Sequence, residues 1–372
     1  MHFAERMSQI RASGVRRFFD EARRRPDAID LSIGQADFDV PEPIRAATAA
    51  AVESGNGRYS ATQGMPALLD ATREHLIANH DLPADDELMM TVGASGAITL
   101  ALLALAGPGD EVLVPDPYFV IYRELVQIVG ATPVFYDLFP DFRLRPEELE
   151  KRITDRTRLV ILNTPANPTG VTLDHQELAA VAQICRSRGV PVLSDELYEL
   201  FVYDGPHAGI KRHLPEGSLL VGGFSKGYGM AGWRLGWAAG TAELIDRMRI
   251  LQQFVFTCPP TLVQQGAIAA FDVDMSEQVA TYAKKRDIIY EGLVDAGFEV
   301  ARPGGSFFVF PRVPWGDDEE FCMAALESGV IVVPGRSFSQ RTTHFRISFA
   351  TSDDNLHRGL EILATLKRER HP

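Results

Sequence analysis

The middle of the chain alternates short apolar runs with stretches in which apolar residues recur every three or four positions. The short runs predict β-strands over residues 110–117, 131–138, 158–165, 190–198, 218–225 and 234–240. The stretch RLVILNTP at 158–165 has a continuous apolar centre, LVIL, as expected of a strand buried on both faces. A helical period covers 173–189, between two of these strands. The alternation predicts a three-layer α/β domain around a mostly parallel sheet.

The pattern changes after about residue 275. A helical stretch at 275–297 precedes short apolar runs at 306–313, 329–335 and 344–350. This order predicts a smaller α+β domain over residues 276–372. We expect residues 1–39 to pack with it, and residues 40–275 to form the large domain.

Composition is that of a globular protein with a sizeable core. The chain has 372 residues, of which 45% are hydrophobic and 23% are charged. Its 37 lysines and arginines against 50 aspartates and glutamates give a formal net charge of −13. This balance argues against a nucleic-acid-binding protein, which needs a basic face for phosphates. It still allows a local basic pocket for a small anion.

Cysteine usage and the N-terminus bear on location. The three cysteines, Cys185, Cys258 and Cys322, fit neither a disulfide framework nor a metal-site spacing, which indicates a reducing compartment. The charged N-terminal stretch lacks the apolar core of a signal peptide. The longest aliphatic stretch, residues 97–106, is too short to cross a bilayer. We expect a cytoplasmic protein that is not bound to membranes.

The stretch GGFSKGYGMAGWRLGW at 222–237 holds two cations, Lys226 and Arg234, among small residues. It is either a flexible surface loop or an amine nucleophile beside an anion-binding arginine. A nucleophilic lysine must lose its proton near neutral pH, and both burial and a neighbouring cation lower its pKa. Arg234 offers a planar fork suited to a phosphate group.

The same stretch matches G-x-G-x-x-G at 227–232, a pattern found in dinucleotide sites. The match argues only weakly for a dehydrogenase, because no clear βαβ unit follows and residues 233–237 have an extended pattern. No Walker A or H-E-x-x-H pattern is present, and the nine histidines show no ligand spacing. We therefore expect no metal site.

Further polar residues lie where strands end or helices begin. The backbone N–H groups of Ala94 and Ser95, with the Ser95 hydroxyl, would form an anion cradle at a helix start, unless Ser95 is a plain N-cap. Asn167 lies in a proline-rich turn that follows a predicted strand, and the prolines fix the backbone around it. Asp195 ends an apolar strand, where a carboxylate needs a cationic partner, either a ligand or a structural salt bridge. Tyr198 follows three residues later.

Together these groups suit pyridoxal 5'-phosphate (PLP). Its aldehyde needs a lysine, and its phosphate needs a helix start and a guanidinium. Its ring nitrogen needs a buried carboxylate to stay protonated, and its 3-oxygen needs hydrogen-bond donors. Each requirement has a candidate among the residues above.

The chain also resembles the fold-type I PLP enzymes, specifically the class I/II aminotransferases related to aspartate aminotransferase. The resemblance runs from LSIGQADFDVP at 31–41 to FRISFA at 345–350, nearly the whole chain. The motifs occur in family order with family spacing: RYSATQG, TVGASGA, PDPYFVIY, NTPANPTG, SDELY, FSKGYGMAGWRLGW and FRISFA. Each motif is weak alone, but the ordered set is specific.

The resemblance implies a role for each matching cofactor residue. Lys226 would form a Schiff base with PLP and carry a proton between the substrate Cα and the cofactor. Asp195 would pair with the ring N–H, and Tyr198 and Asn167 would hydrogen-bond the 3-oxygen. Phe119 would stack on the ring face, with a core aromatic as the alternative. The phosphate would be held by Ala94, Ser95 and Arg234, and Ser225 is a further cofactor-binding candidate.

The resemblance also implies how substrate and partner bind. Arg346 would clamp the substrate α-carboxylate, with Asn167 and the Gly34 backbone close by. Tyr59 would reach the cofactor phosphate of the neighbouring subunit, so the active unit would be a homodimer. An L-amino acid and a 2-oxo acid would exchange an amino group by a ping-pong mechanism. Candidates for side-chain specificity are Ile10, Val15, Phe18, Tyr118 and residues 254–260.

Two departures from the family pattern stand out. Many members carry a serine three residues before the lysine, where this chain has Gly223. Either Ser225 compensates or the phosphate has one contact fewer. Some bacterial aspartate-specific relatives carry a lysine where this chain has Ser95, and no second arginine for an acidic side chain is evident. These features weaken aspartate as the obvious amino donor without excluding it.

Amino transfer is the function that these motifs favour. A β-elimination lyase resembling cystathionine β-lyase, or a cyclisation, is the alternative, because these reactions begin with the same cofactor chemistry. A regulatory module with an aminotransferase-like sensor would need an added DNA-binding domain, and only about thirty residues precede Ile33.

Overall fold

The structure of the protein is a computed structural model that describes residues 2–10, 14, 24–25, 27–55 and 57–370. Val15 and Phe18, two candidates for substrate specificity, lie outside the described residues. No helix within the described ranges is long and apolar enough to span a bilayer.

The described strands and helices have the following bounds. The strands are β1 Ile29–Asp30, β2 Glu87–Thr91, β3 Glu111–Asp116, β4 Thr132–Asp137, β5 Thr157–Asn163, β6 Val192–Asp195, β7 Ser218–Gly223, β8 Gly236–Gly240, β9 Phe308–Val309, β10 Val330–Ile331, β11 Val333–Pro334 and β12 Phe345–Ser348. The α-helices are α1 Glu42–Glu53, α2 Pro66–His80, α3 Gly93–Leu105, α4 Ile121–Ile128, α5 Pro146–Glu150, α6 His175–Arg188, α7 Phe224–Gly227, α8 Ala242–Val255, α9 Thr261–Ala267, α10 Ser276–Asp295, α11 Asp318–Glu327 and α12 Asp353–Arg370.

Seven strands form the central sheet, in the order β2-β8-β7-β6-β5-β3-β4. Neighbouring strands are parallel except at β8, which runs antiparallel to both β2 and β7. Every residue of β3, β6 and β8 is buried, as the apolar runs predict for strands covered on both faces. The expectation of a mostly parallel α/β sheet is confirmed.

Alternation along the strands builds two cores. Val112 and Val114 of β3 pack with helix α3 on one face, whereas Leu113 packs with α6 on the other. Because successive side chains of a strand point to opposite faces, one apolar run supplies both cores. The result is the expected three-layer arrangement of helix, sheet and helix.

The C-terminal part of the chain forms smaller sheets. Strands β11, β12 and β9 make an antiparallel sheet in that order, and β1 pairs in parallel with β10. Ile29 lies opposite Val330, so the N-terminal segment is hydrogen-bonded to the C-terminal part. This pairing supports grouping residues 1–39 with 276–372, while the domain boundaries themselves stay a prediction.

The strands expected over 190–198 and 306–313 are less than half as long as predicted, and the one expected over 329–335 is divided in two. The strand expected over 190–198 ends at Asp195, because the backbone turns there and Glu199 N–H donates to the Glu196 carbonyl at 3.0 Å. The run at 306–313 keeps only β9, and the run at 329–335 is divided between β10 and β11. Apolarity marks burial in these segments, but it does not fix where the ladder hydrogen bonds stop.

Candidate active site

The carboxyl ends of β5, β6 and β7 form the base of the candidate site. In the sheet register Asn163 lies beside Asp195, and Asp195 lies beside Val221. Parallel strands end at one edge of a sheet, so polar residues that follow them converge there. Lys226 comes directly after β7, in the short helix α7.

Lys226 has a half-buried side chain with a fixed position. Its Nζ donates to the Gly34 carbonyl at 2.6 Å. It lies 5.9 Å from the ring centroids of both Tyr198 and Phe307. The interpretation of 222–237 as a flexible surface loop is wrong, because the amine is held inside the fold.

The surroundings of Lys226 disfavour the ammonium form. Burial and the nearby charges of Arg346 and Arg234 lower the pKa of Lys226 to about 8, although the charge of Asp195 opposes the shift. A substantial fraction of the amine is therefore neutral near physiological pH. This is the state that a nucleophilic lysine requires.

Asp195 is buried at the end of β6. Its Oδ2 accepts from the Tyr122 hydroxyl at 2.6 Å, and its Oδ1 accepts from the Leu197 N–H at 3.3 Å. Burial raises the pKa of Asp195 to about 6, which the charge of Glu196 reinforces and the two hydrogen bonds oppose. Within the described chain no lysine or arginine forms a salt bridge with Asp195, so the structural salt bridge considered for it is not present.

Tyr122 is a site residue that the sequence did not reveal. It is fully buried on α4, and its hydroxyl donates to a residue 73 positions further along the chain. In the sequence it occupies an apolar helical position, where a tyrosine reads as a core aromatic. Only the fold brings its hydroxyl to Asp195.

Tyr198 and Asn167 lie at the same edge. The Tyr198 ring packs edge-on against Phe307 and Phe308, and burial raises its pKa, so its hydroxyl stays protonated as a donor. Asn163 supports both segments, since its Nδ2 donates to the Asp195 carbonyl at 2.9 Å and its Oδ1 accepts from the Asn167 N–H at 2.8 Å.

Arg346 is a buried guanidinium on β12. Its Nη1 donates to Asn167 Oδ1 at 3.1 Å and its Nη2 to the Ser32 carbonyl at 2.8 Å. The guanidinium lies between the rings of Phe308 and Phe338, at 4.4 and 4.5 Å from their centroids. Its Nε has no hydrogen-bond partner among the described residues. A buried, incompletely paired cation of this kind suits an anionic ligand.

A backbone turn at the start of α3 faces Arg234. Arg234 Nη2 donates to Ser95 Oγ at 3.0 Å, and Ala94 follows Gly93 in the first turn of the helix. Gly93 has φ +70°, and a Cβ there would lie 2.6 Å from the Arg234 guanidinium. The helix N-cap is Val92, so the plain N-cap interpretation of Ser95 is wrong. Free N–H groups at a helix start beside a guanidinium are suited to bind a phosphate.

Gly223 has a packing reason that explains one departure from the family pattern. A Cβ at this position would lie 2.8 Å from Gly236 Cα and 3.0 Å from the Leu235 carbonyl oxygen. A serine therefore cannot enter without moving β8. Ser225 is buried in α7 next to Lys226, and its contact with a phosphate stays a prediction.

Phe119 and Tyr59 occupy different environments. Phe119 is half-buried and packs edge-on against Tyr122, with ring centroids 5.6 Å apart, so it serves the core whether or not it also stacks on a cofactor. Tyr59 is 83% exposed. Gly34 contributes the carbonyl that accepts from Lys226.

The arrangement fits PLP on observations of this chain alone. An amine with a lowered pKa, a buried carboxylate and a helix start paired with a guanidinium converge at one sheet edge. Lys226 would hold the aldehyde, Asp195 the ring nitrogen, and the Ala94–Ser95 turn with Arg234 the phosphate.

Comparisons with known proteins agree with this geometry. Residues 26–363 match the model of the family described as aminotransferase class I and II. A probable N-acetyl-LL-diaminopimelate aminotransferase of Bacillus subtilis is 36% identical and covers 97% of this chain and 95% of its own length. A probable aspartate aminotransferase of Methanocaldococcus jannaschii is 34% identical over 97% of this chain and 98% of that protein.

Solved structures show the same fold. Aspartate aminotransferase from Thermus thermophilus with maleate superposes with a TM-score of 0.92 at 32% identity, over 98% of this chain and 100% of that one. An aromatic aminotransferase from Pyrococcus horikoshii gives a TM-score of 0.90 at 34% identity, over 95% and 99% of the two chains. These relatives overturn the dehydrogenase alternative. The chain belongs to the aminotransferase class I and II family.

Proposed function

We propose that this aminotransferase carries PLP bonded covalently to Lys226 and exchanges an amino group between an L-amino acid and a 2-oxo acid in two half-reactions. The observation that carries the proposal is that the Asp195 carboxylate and the Arg346 guanidinium both lie close enough to the Lys226 amine for their charges to change its pKa. Family membership supports the same cofactor, because class I and II aminotransferases use PLP.

The cofactor would be held by residues of one sheet edge. When bound, PLP supplies an electron-accepting ring that stabilises negative charge on the substrate Cα. Asp195 would keep the ring nitrogen protonated, and Tyr198 and Asn167 would donate to the 3-oxygen. Phe119 would cover one ring face. The phosphate contacts would come from Ala94, Ser95, Ser225 and Arg234.

The substrate would be oriented by Arg346. Its guanidinium is pre-positioned between two aromatic rings and has spare hydrogen-bonding capacity at Nε, which suits a carboxylate. Asn167, already hydrogen-bonded to Nη1, and the backbone at Gly34 would lie beside it. Lys226, once released by the incoming amine, would remove the Cα proton as a neutral amine.

The amino donor could belong to any of several classes of amino acid, which differ in their side chains. Relatives in the comparisons are described as aspartate, aromatic and N-acetyl-LL-diaminopimelate aminotransferases. Among the candidate specificity positions, Ile10 and Tyr118 are described and are at least half-buried. A panel of amino donors, scored by loss of the absorbance of the covalently bound cofactor, would rank them.

We also propose a cytoplasmic homodimer. Tyr59 and Phe254 are 83% and 85% exposed, an unusual state for large aromatic side chains and one that a partner subunit would relieve. Tyr59 would then reach the phosphate held by the partner. The free thiols of Cys185 and Cys322, both buried, are in keeping with a reducing compartment.

Replacement of Lys226 tests the proposal. Lys226→Ala is expected to bind PLP without a covalent bond and to lose turnover, because the variant lacks the amine that would bond to the aldehyde. Borohydride reduction followed by peptide mass analysis should place PLP on Lys226 in the parent and on no peptide of the variant. Lys226→Arg is the control that keeps the charge and cannot form the bond.

Two results would contradict the proposed function. Normal amino transfer by Lys226→Ala would remove Lys226 from the reaction. Release of pyruvate and ammonia from a single substrate, without an oxo-acid acceptor, would replace amino transfer by β-elimination.

A further inference from the structure

A cluster of histidines and glutamates adjoins the candidate site, and two of its members, His80 and Glu196, are fully buried. The nine histidines show no grouping in the sequence, yet the fold brings three of them against two carboxylates. We call this group the His–Glu cluster; its members are His75, His80, Glu196, Glu199 and His207.

The cluster is attached to the turn that carries two proposed cofactor residues. Four polar side chains of the turn at residues 195–199, DELYE, point to two different environments. Asp195 and Tyr198 belong to the candidate site, whereas Glu196 and Glu199 belong to the His–Glu cluster. Contacts that hold the cluster carboxylates in place therefore also restrain the backbone that positions the other two side chains.

His80 bridges the two carboxylates. Its Nδ1 lies 3.0 Å from Glu196 Oε2, and its Nε2 contacts Glu199 Oε2. Both carboxylates are ionised acceptors, so a ring that bonds to both must carry a proton on each nitrogen. Glu196 is completely buried and the His80 side chain is 1% exposed. Two buried carboxylates without a countercharge would be strongly destabilising.

The other two histidines each contact one of the carboxylates, so His80 is the ring that joins them. His207 Nε2 lies 2.5 Å from Glu196 Oε2, and Ser194 donates to Glu196 Oε1 at 2.7 Å. His75 is farther from Glu199, at 3.3 Å. His80 is also the last residue of α2, where the helix dipole favours a positive charge.

Protonation energetics point the same way. Burial alone would lower the pKa of His80, but the charges and hydrogen bonds of Glu199 and Glu196 raise it to about 10. Burial would raise the pKa of Glu196, but the histidines lower it to about 2. The charge of Glu196 in turn raises the pKa of Asp195. The cluster is thus electrostatically coupled to the candidate site.

Other titratable groups face the cluster from neighbouring elements. Lys211, paired with the buried Asp86, acts on Glu196, and the Tyr228 hydroxyl is sensitive to the charge of Glu199. His207 lies with its ring centroid 5.3 Å from that of His80. None of these neighbouring groups contacts both Glu196 and Glu199, as His80 does.

We propose that His80 is a positioning residue for amino transfer: its imidazolium, hydrogen-bonded through both ring nitrogens, fixes the 195–199 turn and balances the charge beside Asp195. The inference rests on the proposed function, since that function gives Asp195 and Tyr198 their contacts with PLP. His80 itself touches neither substrate nor cofactor and acts through the turn.

The protonation state is tested directly by NMR of the holoenzyme labelled with ¹⁵N-histidine. One histidine should stay doubly protonated from about pH 6 to about pH 9, and its signal should be missing from His80→Gln. A His80 ring that is neutral or titrates in this range would overturn the proposal, as would a stoichiometric metal ion lost in His80→Gln. This readout is independent of turnover, so it fails separately from the proposed function.

The charge balance is tested by the pH midpoint of the absorbance change of bound PLP. His80→Gln leaves one net negative charge more near the cofactor, which favours protonated forms, so the midpoint should rise by about half a pH unit or more. His80→Gln combined with Glu199→Gln should return it close to the parent value. His75→Gln, on the same helix and beside the same carboxylate, is the matched control and should leave it unchanged.

Glu199→Gln alone covers the case in which His80→Gln does not fold. It removes a negative charge, so the midpoint should fall below that of the parent. An unchanged midpoint in a folded His80→Gln or Glu199→Gln holoenzyme would overturn the proposal. A rise in KM without a change in kcat or midpoint would assign His80 a merely structural role and would also overturn it.

Discussion

Lys226 has a pKa lowered to about 8 because burial and the charges of Arg346 and Arg234 disfavour its ammonium form. Only the neutral amine adds to an aldehyde, so the rate at which the cofactor-free protein captures PLP should rise with pH, with a midpoint near this value. Arg346→Gln removes one of the two cations that lower the pKa of Lys226, so the midpoint should shift upward. Stopped-flow absorbance from about pH 6 to about pH 10 measures it.

The control for this shift is Arg341→Gln. Arg341 is an exposed arginine that binds Asp137, and it is not among the charges that act on Lys226. The same substitution there should leave the midpoint in place. A midpoint that stays constant or falls in Arg346→Gln contradicts the electrostatic explanation of the lowered pKa.

Tyr122 is expected to tune Asp195. Tyr122→Phe removes the hydroxyl that donates to Asp195 Oδ2, so the pKa of Asp195, already raised to about 6, should rise further. At neutral pH more of the carboxyl would be neutral and less able to hold a proton on the ring nitrogen. We expect the half-reaction rate to fall on the order of tenfold, the equivalent of about one pKa unit.

Tyr136→Phe is the matched control for this prediction. Tyr136 is also fully buried, and its hydroxyl donates to the Ile161 carbonyl at 2.7 Å instead of to a carboxylate. Both variants should lose about 1–3 kcal/mol of unfolding free energy, because each leaves a buried acceptor unsatisfied. Equal rate losses in the two variants would show that the effect of Tyr122 is on packing alone.

At the scale of helices and strands, the spacing of apolar residues predicted the elements whose type is set by which of their faces are buried. The run at 158–165 became β5, and the helical period at 173–189 became α6, whose start is fixed by the Asp174 capping box. Strand ends were harder, since the turn after Asp195 depends on partners on α2 that no local pattern reveals. The antiparallel direction of β8 likewise depends on the whole sheet.

Residues of the candidate site could be proposed from the sequence where one short motif contains them. Lys226 and Arg234 are eight residues apart, and their shared glycine-rich setting indicated a lysine nucleophile. Tyr122 and His80 could not be found in this way. Each contacts the 195–199 turn from an element far away in the sequence, and each sits in an ordinary helical pattern.

Strand β8 should control the phosphate cradle through Gly236. A Cβ at Gly236 would lie 2.5 Å from Ala94 N and 2.5 Å from Gly93 C, both backbone atoms that cannot yield without moving the cradle. Gly236→Ala is therefore expected to weaken PLP binding by about tenfold or more, an effect of about 1.4 kcal/mol. Fluorescence titration of the cofactor-free protein gives the Kd.

Gly240→Ala is the control on the same strand. A Cβ there would lie 3.1 Å from a methyl group of Leu219, a side chain that can shift. We expect its Kd for PLP to stay within about threefold of the parent. Binding by Gly236→Ala that is as tight as the parent's would remove the 93–95 turn from the phosphate site.

At the scale of the whole molecule, the exposed side chain of Tyr59 bears on how two subunits would assemble. No described residue of the candidate site covers its ring, which is 83% exposed, and Phe254 is 85% exposed. A dimer that places Tyr59 in the partner's site would bury such aromatic surface and complete the phosphate contacts at the same time. Each site would then take Lys226 from one subunit and Tyr59 from the other.

Mixed dimers distinguish this arrangement from one in which Tyr59 serves its own subunit. Pairing a Lys226→Ala subunit with a Tyr59→Ala subunit should create one site with both residues intact and one site with neither. Differently tagged subunits, purified as the hybrid, should bind one PLP per dimer covalently with parental affinity, and sedimentation should give about twice the chain mass of 41.0 kDa. If Tyr59 acts within its own chain, the hybrid's only reactive lysine lies in a site without Tyr59, and PLP is held no more tightly than by Tyr59→Ala alone.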